Sequence, residues 1–480
     1  MTDSLAAAST GITGPRTGAR RVAYHGGAAG AMLPFLVFVG GVVALALLGA
    51  PDERGFWPVE VMALTVGLLL ARDRTAYCEV VIDGMSQPIV MIMIMAWLLA
   101  SVLGVLMTTT GLVEALTWSA GRLHVTGTGF IVATFFICCV VSTSTGTSFG
   151  TILICGPILY PAGGLVGGHL PTLAGAILGG ATFGDSISPI SDTSIASAFS
   201  QQADIGGTVR SRLKYVAIAA LLGLVFYVIS GVTAEAGAVR ELVDTTGNPR
   251  GLPMLVVPVV VIALLLGRRH LLHGLLVGLL VGVGVGLSLG LLPFEKLLSL
   301  DPANFTARSF VIDGINRGLG ISVFTIFLIG LVAGVEASGL LDRLVDFSSG
   351  RVRSVRSAEA WIVGVVGGVV LLTCHSIVAI LTVGEFARET GERFGIHRYR
   401  RANLLDLTVS TFPFILPYFI PVILTANATG AGAAYGLAAV TPLQVGLHNF
   451  HSVAVLIVVI WAVVTGFGRR YAADESAASG

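Results

Sequence analysis

Charged residues are scarce in this chain, and their scarcity excludes whole classes of protein. Asp, Glu, Lys and Arg make up 11% of the 480 residues, whereas soluble globular proteins carry about 25%. Hydrophobic residues make up 54%, and the mean hydropathy is +0.89. We therefore expect a polytopic membrane protein without a sizeable soluble domain. The net charge of +1, without a basic patch that contains aromatic residues, gives no reason to expect nucleic-acid binding.

The sequence has few cysteines and no phosphate-binding loop. The five cysteines show neither metal-ligand spacing nor a disulfide framework, and most of them lie in apolar runs. A Gly-x-x-x-x-Gly-Lys loop is absent, which argues against ATP-driven pumping. We therefore expect no cofactor.

Long apolar runs fill most of the sequence. Eight of them are close to the length of a membrane span and lie near residues 31–50, 57–71, 86–108, 213–234, 252–267, 271–293, 318–338 and 449–468. Four more are interrupted: 127–160 at 142–148, 171–201 at 185–192, 359–386 at 373–376, and 403–427 at Pro413, Pro417 and Pro421. Proline and clustered hydroxyls predict broken helices at these points.

The two halves of the chain resemble each other. Val-Ile-Asp-Gly at 81–84 recurs at 311–314, and nearly the same offset places Thr147-Ser148 on His375-Ser376, so that one broken region falls on another. The predicted organisation is a disordered cytoplasmic tail at 1–30, a membrane repeat at 31–235, a loop at 236–251, a second repeat at 252–470, and a tail at 471–480.

Positive charge predicts the topology. With the N-terminus inside, all the basic clusters face the cytoplasm if 127–160 and 359–386 are re-entrant hairpins; these clusters are Arg72/Arg74, Arg210/Arg212/Lys214, Arg268/Arg269, Arg351/Arg353/Arg356, Arg398/Arg400/Arg401 and Arg469/Arg470. Each repeat then has about five transmembrane helices and one hairpin, and the odd number inverts the second repeat. The predicted fold class is therefore an all-α polytopic membrane protein with two inverted-topology repeats and broken helices at the midplane, a plan common in secondary transporters. We expect it in the cell inner (plasma) membrane with both termini cytoplasmic; the bilayer is its partner, and a homodimer fits this plan.

The most informative segment follows sixty-two residues without a charge, between Arg122 and Asp185. Two acids then appear seven residues apart, Asp185 and Asp192, with Gly184 and Pro189 as predicted helix breakers. Acids at membrane depth are rare unless they line a pathway, and irregular backbone is tolerated there only beside protein or a water-filled cavity. The segment therefore predicts a transport or ion site.

The segment 183–194, Phe-Gly-Asp-Ser-Ile-Ser-Pro-Ile-Ser-Asp-Thr-Ser, resembles the signature of the NhaC-type sodium/proton antiporter family, and 144–151, Ser-Thr-Gly-Thr-Ser-Phe-Gly-Thr, resembles its upstream element. The resemblance implies a secondary antiporter with paired hairpins. The chain departs from the family at Ser186, often a lysine, and at Tyr418-Phe419, often Trp-Asn. The family also includes exchangers of organic acids or amino acids, so both substrates stay open.

Sodium is a hard cation, and we expect oxygen ligands by analogy with calcium and magnesium. The candidate ion- and proton-binding residues are Asp185, Asp192, Ser188, Ser191, Thr193, Thr145, Thr147 and Ser148. A carboxylate that binds either a proton or a cation is enough for antiport, and we expect sodium at Asp185 or Asp192. The simpler interpretation of the acids is helix capping, and that of the hydroxyls is close packing in a hairpin turn.

Weaker candidates lie in the second half. His375 is a candidate proton carrier beside Ser376 in the second hairpin, although a hydrogen-bonded core histidine would look the same. Glu385 has Arg388 close by and Asp406 follows Arg401 by five residues, so each acid is either an ion-pair partner or a second site. Pro413 and Pro417 are predicted helix breakers.

Other classes of protein fit less well. A channel needs a continuous pore, usually between symmetric subunits. An intramembrane aspartyl protease needs a Gly-x-Gly-Asp element, and Thr182 stands where its first glycine should be. We therefore expect no enzymatic activity. An exchanger of small organic acids or amino acids is the main alternative; it would need a cationic or polar group for a substrate carboxylate, and His375 is the candidate.

Overall fold

The computed structural model describes residues 21–48, 53–237, 248–267, 269–301, 306–349 and 352–472. Most of the predicted N-terminal tail (1–30), most of the loop at 236–251 and most of the C-terminal tail at 471–480 lie outside these ranges.

The described residues are mostly helical, in agreement with the predicted all-α class. The helices are α1 (Ala28–Leu47), α2 (Trp57–Leu70), α3 (Arg74–Met85), α4 (Pro88–Thr109), α5 (Leu112–Arg122), α6 (Gly127–Thr145), α7 (Ser148–Leu165), α8 (Leu170–Ile187), α9 (Asp192–Ser200), α10 (Ile205–Gly237), α11 (Val256–Leu266), α12 (Leu271–Ser288), α13 (Phe294–Leu297), α14 (Phe310–Glu336), α15 (Leu340–Ser349), α16 (Val355–Thr373), α17 (Ser376–Arg393), α18 (Arg398–Val409), α19 (Ile420–Thr429), α20 (Pro442–His448) and α21 (Phe450–Thr465). The 3₁₀ helices are Glu53–Phe56, Pro249–Leu255, Phe412–Phe414 and Gly430–Tyr435, and one antiparallel hairpin joins β1 (Ser299–Asp301) to β2 (Thr306–Arg308).

Nine helices of the described ranges are long and apolar enough to cross a membrane, or ten if the bent pair α20–α21 is one span. This number confirms the prediction of a polytopic membrane protein. Large apolar side chains on several of these helices are exposed on the protein surface, as lipid contact requires.

Each of the four predicted breaks is present. The break between α6 and α7 lies at Gly146 and Thr147, and the break between α16 and α17 lies at Cys374 and His375. Gly146 and Cys374 both have positive φ, 71° and 51°, which ends the preceding helix in the left-handed conformation. The α8–α9 break covers 188–191, and the α18–α19 break covers 410–419.

Helix boundaries recur at the offset that the sequence predicted. Helices α6, α7, α8 and α9 begin at 127, 148, 170 and 192, and helices α16, α17, α18 and α19 begin with the same spacing at 355, 376, 398 and 420. Left-handed residues recur in the same way: Gly111 with Gly339, and Gly167 with Gly395. The two halves therefore share one backbone plan, although most of their side chains differ.

The two copies of Val-Ile-Asp-Gly lie on α3 and α14, and these helices run in opposite directions. A Cβ on Gly334 of α14 would lie 3.1 Å from Tyr77 of α3, whereas a Cβ on Gly314 would lie 2.3 Å from the Cα of Val102 in α4. The contacts of α14 move from Tyr77 to Val102 as α14 is followed from Gly334 back to Gly314, so α14 runs antiparallel to the α3–α4 segment.

Contacts between the halves are reciprocal. A Cβ on Gly156 of α7 would lie 2.8 Å from the Cβ of Ala428 in α19. A Cβ on Gly384 of α17 would lie 2.7 Å from the Cβ of Ser200 in α9. Gly156 and Gly384 hold equivalent positions in α7 and α17, and Ser200 and Ala428 hold equivalent positions in α9 and α19. The contact of Gly156 with Ala428 therefore has an equivalent in the contact of Gly384 with Ser200, with the two halves exchanged.

Candidate functional site

Four helix ends meet at the predicted ion site. Helix α6 ends and α7 begins beside the break between α8 and α9. The two breaks touch, because a Cβ on Gly146 would lie 2.6 Å from Cγ1 of Ile190. Helix C-termini present free carbonyl oxygens and N-termini present free N–H groups. The irregular segment therefore offers backbone ligands as well as side chains.

Gly184 was predicted to break the helix, and this prediction is wrong. Gly184 lies inside α8, which continues to Ile187. Its missing side chain instead allows close packing, because a Cβ there would lie 2.3 Å from the backbone nitrogen of Thr143 and 2.4 Å from the Cβ of Ser142. Pro189 does lie in the α8–α9 break, as predicted.

Asp185 lies at the centre of the candidate site. The hydroxyl of Ser191 donates to Asp185 Oδ1 at 2.6 Å and lies 3.1 Å from the hydroxyl of Thr193. The Ser148 hydroxyl, at the start of α7, lies close to the same carboxyl. The structure thus brings residues from the first hairpin and from the α8–α9 break around one half-buried carboxylate.

Two further hydroxyls of the predicted set remain unsatisfied. Ser188 Oγ and Thr145 Oγ1 are buried, and neither has a hydrogen-bond partner within the described ranges. Buried hydroxyls normally have partners; Thr145 ends α6 and Ser188 begins the α8–α9 break, so each of the two adjoining breaks has one unsatisfied hydroxyl. The hydroxyl of Thr147 has a partner, because it accepts a hydrogen bond from the N–H of Gly150 and so caps the start of α7.

Asp192 is the first residue of α9 and is exposed on the protein surface. A carboxylate in this position is stabilised by the positive end of the helix. It also interacts electrostatically with Asp185. The two acids therefore share one region but differ in burial and hydrogen bonding.

Arg212 is a site residue that sequence reasoning missed. The sequence places it in a basic cluster facing the cytoplasm, and it leaves Asp406 either as a partner of Arg401 or as a second site. In the structure Arg212 Nη1 lies 2.8 Å from Asp406 Oδ2, with both side chains fully buried. Helix α10 begins at Ile205, so Arg212 lies two turns inside it.

Arg212 also binds the two helices that flank the α8–α9 break. Its Nη1 donates to the carbonyl oxygen of Ser186 and to the hydroxyl of Ser194, both at 2.8 Å. Its Nη2 donates to Ser197 Oγ at 3.2 Å, and its Nε to Asn403 Oδ1 at 3.2 Å. The partners of Arg212 come from α8, α9 and α18, and no local pattern in the sequence marked it as a buried cation.

Two more predicted surface arginines are buried. Arg400 binds Glu359 through Nε and Nη2 at 2.9 and 3.1 Å. Arg401 donates to Gln201 Oε1 at 3.0 Å and to the carbonyl oxygen of Ile396 at 3.0 Å. The clusters therefore do more than mark topology: they connect helix ends on one side of the protein.

The second hairpin differs chemically from the first. His375 precedes α17, and its buried Nδ1 has no hydrogen-bond partner in the part of the chain that the structure describes. Ser376 Oγ donates to the carbonyl oxygen of Val409 at 3.4 Å. Pro413 and Ile420 hold the positions of the second half that are equivalent to Asp185 and Asp192, so the second half has no acids there.

The remaining candidates lie apart. Glu385 is 76% exposed and forms an ion pair with Arg388 at 3.8 Å. Pro413 lies in a short 3₁₀ helix and Pro417 follows it, both inside the α18–α19 break. Across the described ranges no group of three or more His, Cys, Asp and Glu could hold a metal ion.

Comparison with known proteins agrees with the motif. The model of the Na+/H+ antiporter family matches residues 30–232, which confirms the resemblance that the sequence indicated. The chain is 33% identical over 146 residues to the malate-2H(+)/Na(+)-lactate antiporter of Bacillus subtilis, a match that covers 29% of this chain and 31% of the relative.

Two other relatives are antiporters by name. The arginine/ornithine antiporter ArcD of Halobacterium salinarum is 35% identical over 98 residues, which is 20% of each chain. The Na(+)/H(+) antiporter NhaC of Bacillus subtilis is 24% identical over 321 residues, which is 62% of this chain and 70% of the relative. The match thus covers about a third of the malate/lactate antiporter and about a fifth of the arginine/ornithine antiporter.

Proposed function

We propose that this chain, whose residues 30–232 match the Na+/H+ antiporter family, exchanges sodium ions for protons across the cell membrane. One observation carries the proposal. A half-buried carboxylate, Asp185, accepts a hydrogen bond from Ser191 where four helix ends meet, and two of these ends carry a buried hydroxyl without a partner, at Thr145 and Ser188.

The proposed exchange rests on competition at Asp185. A carboxylate that binds a proton loses its charge and its attraction for a cation, and a bound cation disfavours protonation. Sodium would take oxygens from Asp185, Ser188 and Thr145, with backbone carbonyls at the break. A site that opens to each side in turn then exchanges one species for the other.

The neighbouring charges support the assignment to Asp185 and Asp192. Asp406 is neutralised by Arg212 at 2.8 Å, so it is committed to an ion pair. Within the described ranges, neither Asp185 nor Asp192 forms an ion pair of this kind. Asp192 is exposed on the protein surface, and we assign it to attracting cations towards Asp185.

We also propose that the halves are inverted repeats related by a two-fold axis in the membrane plane. The copies of Val-Ile-Asp-Gly lie on antiparallel helices, and the contact of Gly156 with Ala428 is repeated between Gly384 and Ser200. Equivalent helices that run in opposite directions require an axis perpendicular to the helices. In this arrangement the hairpins enter from opposite sides, as alternating access needs, and both termini are cytoplasmic.

The alternative is exchange of small organic acids or amino acids. It is favoured by the similarity to the malate/lactate and arginine/ornithine antiporters. Sodium and proton binding at Asp185 would then drive solute movement on the same fold.

Flux measurements in sealed proteoliposomes with an internal pH dye test both functions. Sodium, lithium, potassium, malate, lactate and arginine would be added in turn to wild type, Asp185→Asn and Asp192→Asn. We expect sodium-dependent proton flux that is lost in Asp185→Asn and weakened in Asp192→Asn. Glu385→Gln, a change at an exposed acid, is the matched control and should keep the flux. Flux that persists in Asp185→Asn would refute the assignment, and a response to organic solutes alone would favour the exchanger.

A further inference from the structure

A buried acid that the proposed exchange does not use lies in α2. Glu60 is in the first turn of this helix, and its side chain is fully buried. An acid in this position commonly caps free N–H groups of the helix, but neither carboxyl oxygen of Glu60 has a hydrogen-bond partner in the part of the chain that the structure describes. Buried polar groups normally have partners, so helix capping does not account for Glu60.

Glu60 faces the contact between α2 and α14. One turn earlier, the rings of Phe56 and Phe324 lie 6.2 Å apart between centroids. Trp57 Nε1 donates to the carbonyl oxygen of Gly320 at 3.2 Å. Residues three and four apart share a helix face, so Glu60 lies on the same side of α2 as Phe56 and Trp57. Since α2 belongs to the first half and α14 to the second, this acid lies between the halves.

The space around this contact is apolar. Phe38 of α1, Phe56 and Phe324 are fully buried, and the ring centroids of Phe38 and Phe324 are 6.3 Å apart. Helix α1 carries no titratable residue. A carboxylate is poorly stabilised among aromatic rings, because they cannot replace the water that it loses on burial.

Charged groups on the neighbouring elements do not offset this burial. Besides α1, the elements that pack against α2 are α3, α14 and the 3₁₀ helix before it. Their titratable side chains that face α2 or lie on α14 are Glu53, Arg54, Tyr77, Asp313, Arg317 and Glu336. None of them donates a hydrogen bond to Glu60. A metal cation would need several oxygen ligands, which aromatic rings do not supply, so the ligand that fits this acid is a proton.

We propose that Glu60 is a second proton-binding site and that the closed contact between α2 and α14 requires its proton. The proton on one carboxyl oxygen removes the charge that burial disfavours. When the contact opens, water reaches the carboxyl group and accepts the proton, and the resulting carboxylate opposes closure until a proton returns. Proton binding at Glu60 does not depend on the proposed sodium/proton exchange, whereas any role of this contact in transport rests on it.

Infrared spectroscopy of the purified full-length protein tests the protonation directly. A protonated carboxyl group and a carboxylate absorb at separate positions, and near neutral pH the spectrum of wild type minus that of Glu60→Gln should contain the band of the protonated group. Glu295→Gln, at an exposed glutamate of α13, is the matched control and should remove carboxylate bands instead. Carboxylate bands in the difference spectrum of Glu60→Gln would overturn the proposal.

Thermal unfolding at increasing pH gives an independent test. Above about pH 4.3 the unfolded chain ionises Glu60, whereas the folded protein keeps the proton, so the folded state binds one more proton and loses stability as the pH rises. Glu60→Gln lacks this proton, and its unfolding temperature should rise relative to wild type as the pH increases. Glu60→Met, which is apolar, should behave in the same way and serves if the glutamine variant does not fold. A difference from wild type that stays constant with pH would overturn the proposal.

Proton flux in the same preparations separates this proposal from the proposed function. A protonated Glu60 in a protein without sodium-driven flux would refute only the sodium/proton exchange. Sodium-driven flux in a protein whose Glu60 is ionised would refute only the second proton site.

Discussion

The guanidinium of Arg212 and the carboxylate of Asp406 form a fully buried ion pair, with 2.8 Å between Nη1 and Oδ2. The pair connects α10 to α18, and Arg212 extends it to the α8–α9 break through Ser186 and Ser194. The α8–α9 break, which follows Asp185, is therefore held by a cation from another helix. Since Asp406 cancels this cation, the local charge is left to Asp185 and Asp192.

The first prediction concerns this pair. Arg212→Gln and Asp406→Asn should each lower the free energy of unfolding by roughly 3–5 kcal/mol, because each leaves a buried charge without its partner. The double variant should recover a large part of that loss, since it buries no charge. Thermal unfolding of the purified protein checks both statements.

Arg210→Gln is the matched control, because Arg210 lies on the same helix and is exposed; it should unfold as wild type does. Single variants as stable as wild type would mean that the ion pair does not stabilise the protein. A double variant less stable than both single variants would contradict the charge argument.

The breaks in the helices could be predicted from the sequence, because proline, glycine and clustered hydroxyls act locally. The α6–α7 break at Gly146 and the α8–α9 break around Pro189 lie where these residues indicated them. The constant offset between the halves was also visible, since both halves keep the residues that end helices. The sequence also predicted that Ser148 and Ser191 belong to one site with Asp185, because it identified the first hairpin and the acidic segment as parts of the same ion site.

The location of Arg212 could not be predicted, because the sequence does not show that the helix extends beyond the apolar run. The run near 213–234 begins after Arg212, whereas α10 begins at Ile205. Burial of this arginine depends on Asp406, which comes from the other half of the chain. Pairing between distant segments depends on tertiary packing, and no local pattern in one sequence shows it.

The second prediction concerns Ser191. Its hydroxyl donates to Asp185 at 2.6 Å, and a hydrogen bond to a charged group contributes about 1.5–3 kcal/mol. Ser191→Ala should therefore raise the sodium concentration for half-maximal proton flux about tenfold, with the maximal rate kept. Ser288→Ala, at an exposed serine of α12, should change neither value. A lower maximal rate at unchanged half-saturation would remove Ser191 from the ion site.

The third prediction concerns the reciprocal contacts between the halves. Gly156→Ala and Gly384→Ala would place a Cβ 2.8 and 2.7 Å from its neighbour, so the helices must separate. Each should lose roughly 1–3 kcal/mol of stability and slow antiport. Gly364→Ala has no atom within 4 Å of the new Cβ and should be neutral or slightly stabilising.

A second substitution at Ala428 tests whether the loss in Gly156→Ala arises from this contact. Ala428→Gly removes the methyl group that Gly156→Ala would contact, so the double variant should unfold close to wild type. A double variant that is no more stable than Gly156→Ala would show that the loss does not arise from this contact.

The fourth prediction concerns pH and the exposed carboxyl of Asp204, just before α10. The hydroxyl of Tyr399 and the N–H of Gly207 donate to Asp204, and these hydrogen bonds hold the pKa of this carboxyl below its usual value. A carboxyl with a lowered folded-state pKa stabilises the fold above its unfolded pKa of about 3.9, and the contribution is lost as the pH falls through the folded pKa.

Removing the Tyr399 hydroxyl should therefore have an effect that depends on pH. Tyr399→Phe should destabilise the protein near pH 7, by at most about 1 kcal/mol because the pair is exposed. The difference in unfolding temperature from wild type should narrow as the pH falls below about 4, because the carboxyl then becomes protonated. In an Asp204→Asn background Tyr399→Phe should show no such pH dependence, and a difference that stays constant with pH would mean that the hydroxyl acts through another group.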